Sequence, residues 1–407
     1  MTQPADGFNN LGISSELLKA LERLSFHTPT PIQLKAIPIA NEGSDIIGIA
    51  QTGTGKTMAF GIPMIQRLAK NQKKGLVLVP TRELAVQVNE SLAKLTSIYQ
   101  MKTLVLIGGE SMRPQLQKLR ERPRVIIATP GRMNDHLKQK SLQLNDVDVL
   151  VLDEADRMLD MGFLSQIEDV LRRLPRERQN MLFSATMPAS IVKIAQKYMH
   201  LPVRVEIAPE GTATELVSQE LFVVTRENKG ALLGQLLRQY EGSVLLFVRT
   251  RRSAGKVAKI VRNHGHSVAE IHADRSLAQR KEALRSFKAG QSRVLVATDI
   301  AARGIDVKGI QLVINYDLPD DPENYVHRIG RTGRAGREGH AVSLATPDQA
   351  YEVRRIEKMM RIAIPIARHP EIPVEQFEAH ATSSPAKPAG RRRSFGGHQR
   401  MSRKKNG

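Results

Sequence analysis

Residues Ala50–Thr57 read AQTGTGKT, directly after an apolar run and before a helical stretch. That is the context in which a glycine-rich turn can cradle phosphates. Gly53 and Gly55 let backbone N–H groups face phosphate oxygens. Lys56 reaches the β- and γ-phosphates, and the Thr57 hydroxyl can ligate Mg2+. The helix N-terminus adds a positive dipole end. The usual pattern opens with glycine, whereas here Ala50 stands first. The nucleotide is therefore expected on Ala50, Gln51, Thr52, Gly53, Thr54, Gly55, Lys56 and Thr57.

A second cluster lies downstream, where the apolar run Val147–Asp153 ends in Asp153-Glu154-Ala155-Asp156. A carboxylate at a strand tip beside a phosphate loop is where an NTPase of this type holds its metal. Asp153 is expected to hold Mg2+ through water, and Glu154 to orient or deprotonate the attacking water. An acidic cluster alone is often only a solvated turn. The upstream loop tips the balance, and the first half reads as an NTPase.

These residues need a scaffold. Short apolar, β-branched runs recur at Asp45–Ala50, Gly75–Pro80, Thr103–Ile107, Val125–Thr129, Val147–Asp153 and Asn180–Ser184. A second series follows at Leu221–Val224, Val244–Val248, Ser267–Ile271, Arg293–Thr298, Leu312–Asn315 and Ala341–Leu344. Continuous rather than alternating apolarity is the pattern of strands buried on both faces. Helical stretches intervene, with Ser276 as an N-cap and Gly265 and Gly290 as terminators. Strand alternating with helix implies parallel sheets with right-handed crossovers. The expected fold is α/β: an N-terminal domain over residues 1–205, a linker over 206–217, a C-terminal domain over 218–368 and a tail over 369–407.

The formal net charge of +20 points to a polyanionic partner, nucleic acid first and an anionic membrane surface second. Residues 381–407 carry eight Lys/Arg and no Asp/Glu, with frequent Pro, Ser and Gly. Such a segment is expected to be disordered. The chain has no cysteine, which excludes disulfides and thiolate metal sites and is compatible with a reducing cytoplasm. The polar start, Met1 to Asn10, shows no secretory signal, and no apolar run approaches a bilayer span.

Together with AQTGTGKT and DEAD, further motifs run in order along the chain. They are Thr30-Pro31-Ile32-Gln33, Pro80-Thr81-Arg82-Glu83-Leu84-Ala85, Gly108-Gly109, Thr129-Pro130-Gly131-Arg132 and Ser184-Ala185-Thr186. The second half adds Ala297-Thr298-Asp299-Ile300-Ala301-Ala302-Arg303-Gly304-Ile305-Asp306 and His327-Arg328-Ile329-Gly330-Arg331-Thr332-Gly333-Arg334. The ordered set resembles the DEAD-box RNA helicase family, with wording similar to bacterial RhlE-like members. The resemblance implies two tandem RecA-like domains, ATP and Mg2+ as cofactors, and RNA as partner.

It also implies roles for single residues. Gln33, with Phe8 upstream, would recognise adenine, and the Gln amide suits this because it both donates and accepts. Ser184 and Thr186 would couple hydrolysis to strand separation. Arg331 and Arg334 would act as arginine fingers, His327 would link the closed domains, and Asp306 would contact the ribose. RNA contacts would come from Thr81, Arg82, Gly109, Thr129, Arg132, Arg280, Thr298 and Arg303, gripping the backbone without reading sequence. Three positions depart from the pattern of the family. Ser25 and Ala273 stand where glycine is usual, and Leu277 where glutamine is usual. The last two weaken the expected RNA grip of that loop.

The resemblance implies local, non-processive unwinding in which ATP and single-stranded RNA each favour domain closure. A DNA translocase, a non-hydrolysing RNA clamp and a metabolic P-loop kinase are the competing readings. The first fits PTRELA and TPGR poorly, the second ignores Lys56, Glu154 and Arg334, and the third leaves the second half without a reason. Ribosome assembly, RNA decay and cold adaptation are all compatible settings, and a cytoplasmic monomer is the working expectation.

Overall fold

Leu76-Val77-Leu78-Val79 is apolar at every position because both of its faces are covered. Leu76 and Leu78 pack with Met133, Leu137, Ile167 and Ile191, while Val77 and Val79 pack with Ile62, Ile65, Val88 and Leu92 on the opposite side. This arrangement recurs throughout the computed structural model, which describes residues 7–51, 53–207, 217–302, 307, 309–333, 338–373 and 375–378.

The N-terminal half forms a seven-stranded sheet from β1 (Ile46–Ile49), β2 (Lys74–Leu78), β3 (Thr103–Leu106), β4 (Val125–Ala128), β5 (Val147–Leu152), β6 (Gln179–Ser184) and β7 (Val203–Glu206). The order is β3-β4-β2-β5-β6-β1-β7 and every pairing is parallel. The C-terminal half forms a six-stranded sheet from β8 (Val217–Val223), β9 (Val244–Val248), β10 (Val268–Ile271), β11 (Val294–Thr298), β12 (Leu312–Asn315) and β13 (Gly339–Ala345). Its order is β10-β11-β9-β12-β13-β8, again parallel. Helices cover both faces of each sheet, so the α/β class with two parallel-sheet domains holds.

Apolarity alone misses β7. Its burial runs exposed, exposed, buried, exposed, because Val203–Glu206 is an edge strand with charged residues at Arg204 and Glu206. The strand closes the expected N-terminal domain, with only Glu206 inside the expected linker, and residues 208–216 lie outside the described residues. β8 begins four residues before the expected Leu221 because its polar start, Ser218 to Glu220, pairs with β13 at a sheet edge.

The end of the expected C-terminal domain and the first residues of the expected tail both have a place in the fold. The Leu221 N–H donates to Pro365 O at 2.9 Å and the Ala367 N–H donates to Leu221 O at 2.8 Å, so this segment covers the outer edge of β8. Beyond it, Ile372 and Phe377 pack against the C-terminal domain, and the Glu378 N–H donates to Pro347 O at 2.9 Å. Two apolar side chains in a polar stretch give little compositional signal. The basic stretch 381–407 lies outside the described residues. No helix among the described residues is long and apolar enough to cross a membrane.

Candidate functional site

The phosphate-loop residues follow β1 at the carboxyl edge of the first sheet, the edge where open parallel sheets bind ligands. The Ala50 N–H donates to Ser184 O at the tip of β6, 3.0 Å away. Gly53 and Gly55 adopt left-handed φ values of 88° and 92°. A Cβ on Gly55 would also sit 2.4 Å from Gln33 Nε2, so glycine is needed there for both conformation and space. Lys56 opens the helix Lys56–Ala69 and is buried, Thr57 is half-buried beside it, and Thr54 Oγ1 donates to Gln51 O at 2.8 Å.

Gln33 is locked against this loop. Its Oε1 accepts from the Thr30 N–H at 2.9 Å and its Nε2 donates to Gly55 O at 3.0 Å. One amide proton and one lone pair are left for a ligand edge. Phe8 is buried in the hydrophobic cluster of the N-terminal domain.

The carboxylates stand at the tip of β5. The Asp153 N–H donates to Leu78 O at 3.0 Å, tying the tips of β5 and β2 together. Glu154 takes a left-handed φ of 53° and ψ of 50°, a strained backbone for a side-chain-bearing residue. Its Oε2 accepts from Arg157 Nη1 at 2.7 Å, and each side chain is 3% exposed. Asp156 Oδ2 accepts from the Ala185 N–H and the Thr186 N–H at 2.9 Å each and from Thr186 Oγ1 at 3.1 Å, while the Asp156 N–H reaches Ser184 Oγ at 3.3 Å. Asp156 therefore ties the strand tip to Ser184 and Thr186.

Burial pushes the Asp153 carboxyl up to about 6, against the pull of Lys56. Burial acts on Glu154 in the same sense but is outweighed by Arg157, Lys56 and Arg331, so this carboxyl is depressed. Asp156 is held low as well, against burial, by Lys56 and Arg157. These residues fit a magnesium-bound triphosphate. The buried Lys56 and the turn at Gly53 and Gly55 suit the phosphates, and the Asp153 carboxylate together with the Thr57 hydroxyl suits a cation that takes its remaining ligands from phosphate and water. No group of three or more His, Asp or Glu residues forms a protein-only metal cage among the described residues.

The C-terminal half reaches this site through the helix Pro322–Ile329 and the turn after it. Arg331 is 4% exposed, its Nε donates to His327 O at 3.3 Å, and its charge acts on Glu154 across the two halves. Arg157, Asn324, His327 and Arg331 border one small cavity. Arg328 is spent on its own domain, with Nε and Nη2 on Asp299 at 2.6 and 2.7 Å. Thr52, Arg303, Asp306 and Arg334 lie outside the described residues.

Most candidate RNA-contacting residues share the carboxyl edges of the strands. Thr81 follows β2 and caps the helix Arg82–Thr96 through Leu84 N at 3.2 Å. Gly109 follows β3 with φ 74°, and a Cβ there would lie 1.8 Å from Arg82 Nη1. Thr129 follows β4 at the N-cap of the helix Pro130–Lys138. Arg132 in that helix donates to Glu110 O at 3.0 Å and to Gln115 Oε1 at 3.3 Å. Thr298 ends β11. Arg280 stands apart from this set: it is 8% exposed, with Nη1 2.9 Å from Glu83 Oε1 in the other half. Reading the sequence passes over Asp156, Arg157 and Glu83. The Glu154-x-x-Arg157 spacing, which puts the pair on one helical turn, was the available signal for Arg157.

Residues 30–194 match the family model for the DEAD/DEAH box helicase, and residues 228–336 that for the helicase conserved C-terminal domain. The DEAD-box ATP-dependent RNA helicase CshA of Geobacillus kaustophilus is 44% identical over 354 residues, covering 86% of this chain and 76% of that protein. Among solved structures, S. cerevisiae Dbp5 bound to RNA and ADP BeF3 superposes with a TM-score of 0.79 at 31% identity, over 89% of this chain and 96% of that one. A DEAD box protein from Methanococcus jannaschii covers 89% of this chain and 99% of its own at 37% identity, with a TM-score of 0.53. Two family models in tandem, and a relative matched at this identity over most of both chains, decide the matter: the chain belongs to the DEAD-box ATP-dependent RNA helicases.

Proposed function

We propose that the two domains form one bipartite ATPase site that closes on RNA. In this reading Gln33 and Phe8 select adenine, Ala50–Thr57 wraps the phosphates, and Lys56 draws in the β- and γ-oxygens. Thr57 and Asp153 hold Mg2+, which neutralises phosphate charge when bound. Glu154 accepts the proton of the attacking water. Arg331 and Arg334 meet the charge that develops on the transferred phosphoryl group, His327 joins the halves and Asp306 holds the ribose. Asp156 passes the state of the site to Ser184 and Thr186. Thr81, Arg82, Gly109, Thr129, Arg132, Thr298, Arg303 and Arg280 grip one RNA strand by its backbone. A strand bent to fit that grip separates from its complement over a few base pairs.

The observation that carries this reading is that His327 and Arg331 of one half border the same small cavity as Arg157 of the other, whose guanidinium holds the buried Glu154 at 2.7 Å. The comparisons support the same setting of the halves. The more identical Methanococcus jannaschii chain superposes less well than RNA-bound Dbp5 at the same coverage. Sequence divergence cannot account for that order, whereas a different setting of two similar domains can.

ATP turnover with and without single-stranded RNA, alongside separation of a short RNA duplex, tests the proposal. Turnover should rise with RNA. Glu154→Gln should retain binding of an ATP analogue and RNA while losing turnover. An ATPase indifferent to RNA, or wild-type unwinding by Glu154→Gln, would overturn it. ssRNA should stimulate more than ssDNA. The wider proposal is a cytoplasmic, monomeric bacterial helicase with RhlE-like motif wording, working in a setting such as ribosome assembly or RNA decay. Crosslinking in cells and sequencing the bound RNA identifies the substrate.

A further inference from the structure

Leu277 departs from the usual glutamine of the family, and its surroundings give that change a use. It opens the helix Leu277–Lys288, whose start is fixed by a reciprocal cap. Ser276 Oγ accepts from the Gln279 N–H at 3.2 Å, and Gln279 Oε1 accepts from the Ser276 N–H at 2.9 Å. Although it belongs to the C-terminal half, Leu277 is 7% exposed and packs within a cluster whose other buried members lie between Phe8 and Val205.

The next turn repeats the crossing. Arg280 pairs with Glu83 on the helix Arg82–Thr96, and Lys281 borders a cleft shared with Val86, Asn89 and Glu110. Positions 277, 280 and 281 fall on one helical face. That face is laid on the N-terminal domain beside Arg82 and the Gly109 turn.

We propose that Leu277 is a positioning residue that seats the C-terminal domain on the N-terminal domain without RNA, giving this helicase a higher RNA-free ATPase than a glutamine there would allow. The inference rests on the bipartite reading above. Apolar surface at Leu277 leaves water only when the halves meet, so its burial favours the closed arrangement. Leu277 makes this contribution through the apolar surface of the N-terminal half. Any contribution to closure made without RNA must lessen what RNA still has to supply, because the two act on the same equilibrium.

The test uses the full chain and three forms: wild type, Leu277→Gln and Leu277→Met. Leu277→Gln should lower RNA-free turnover about fivefold, while turnover at saturating single-stranded RNA stays within about twofold of wild type. Leu277→Met, of similar volume and apolarity, should behave as wild type. Because the chain has no cysteine, Lys94→Cys and Lys259→Cys give one dye on each half, and energy transfer then reads closure directly. Leu277→Gln should reduce the closed population in ATP alone. An unchanged RNA-free rate and closed population in Leu277→Gln overturn the proposal, as does an equal loss at every RNA concentration. Failure of the helicase reading would look different: the wild-type ATPase itself would ignore RNA.

Discussion

Replacing Arg157 with methionine isolates one buried charge. Glu154 and Arg157 face each other at 2.7 Å with 3% exposure apiece, so neither can turn to water when the other is removed. Breaking a buried pair by removing one partner costs about 3–5 kcal/mol. Lys56 and Arg331 also act on Glu154 and soften the loss, which places the Arg157→Met cost near the lower bound, about 3 kcal/mol. Glu154→Gln should cost a similar amount by leaving the guanidinium with a neutral acceptor. The double substitution removes both charges and should cost much less than the sum, a coupling of about 3 kcal/mol. Urea unfolding without nucleotide or Mg2+, followed by circular dichroism because the chain has no tryptophan, measures all four corners. If the single substitutions add to within about 0.5 kcal/mol of the double, the pair contributes no coupling and the reasoning fails.

Two further predictions concern stability. Ser25 holds φ 61° just past the helix Ser15–Arg23, where its N–H donates to Glu22 O at 2.9 Å and the Phe26 N–H donates to Leu21 O at 2.8 Å. This is the left-handed helix terminator in which glycine is favoured, and the Ser25 side chain is exposed. Ser25→Gly should therefore stabilise the N-terminal domain by about 0.5–1 kcal/mol, seen as a small rise in its calorimetric transition, and a lower transition refutes it. Asp148 lies at the opposite end of β5 from Asp153 and takes Arg67 at 2.7 Å, Asn71 at 3.0 Å and Lys73 at 3.3 Å. Burial would raise its carboxyl, but these donors outweigh it and hold the group below the usual aspartate range. A depressed carboxyl contributes stability above its unfolded-state pKa and loses it as pH falls through the folded-state value. The stability gap between wild type and Asp148→Asn should thus be full at neutral pH and shrink in acid, and a gap independent of pH counts against the assignment.

The sheets were legible because strands such as β2, β5 and β9 are apolar on both faces, a pattern few other elements share. β7 was not, because an edge strand needs only Val205 inside. The phosphate loop and the DEAD segment were legible because each is contiguous and sits at a strand end. The contacts that Arg280 and Leu277 make with the other half escaped the reading. Nothing near Arg280 in sequence names Glu83, and nothing near Leu277 names the cluster that receives it. Those pairings exist only once two separately folded sheets are set against each other. Ser25 is an intermediate case: its departure from glycine was visible, while the positive φ that explains the glycine was not.

The strap over β8 has a consequence for how this chain can be cut. A polypeptide ending before Ile364 would keep every strand of the second sheet but would bare the outer row of amide and carbonyl groups around Leu221. It would also uncover apolar surface next to Val217 and Phe222. Unpaired strand borders of that kind recruit other chains. Fragments trimmed to the motif-bearing core should therefore stick to one another in proportion to concentration, whereas those retaining residues through Glu378 should stay dispersed.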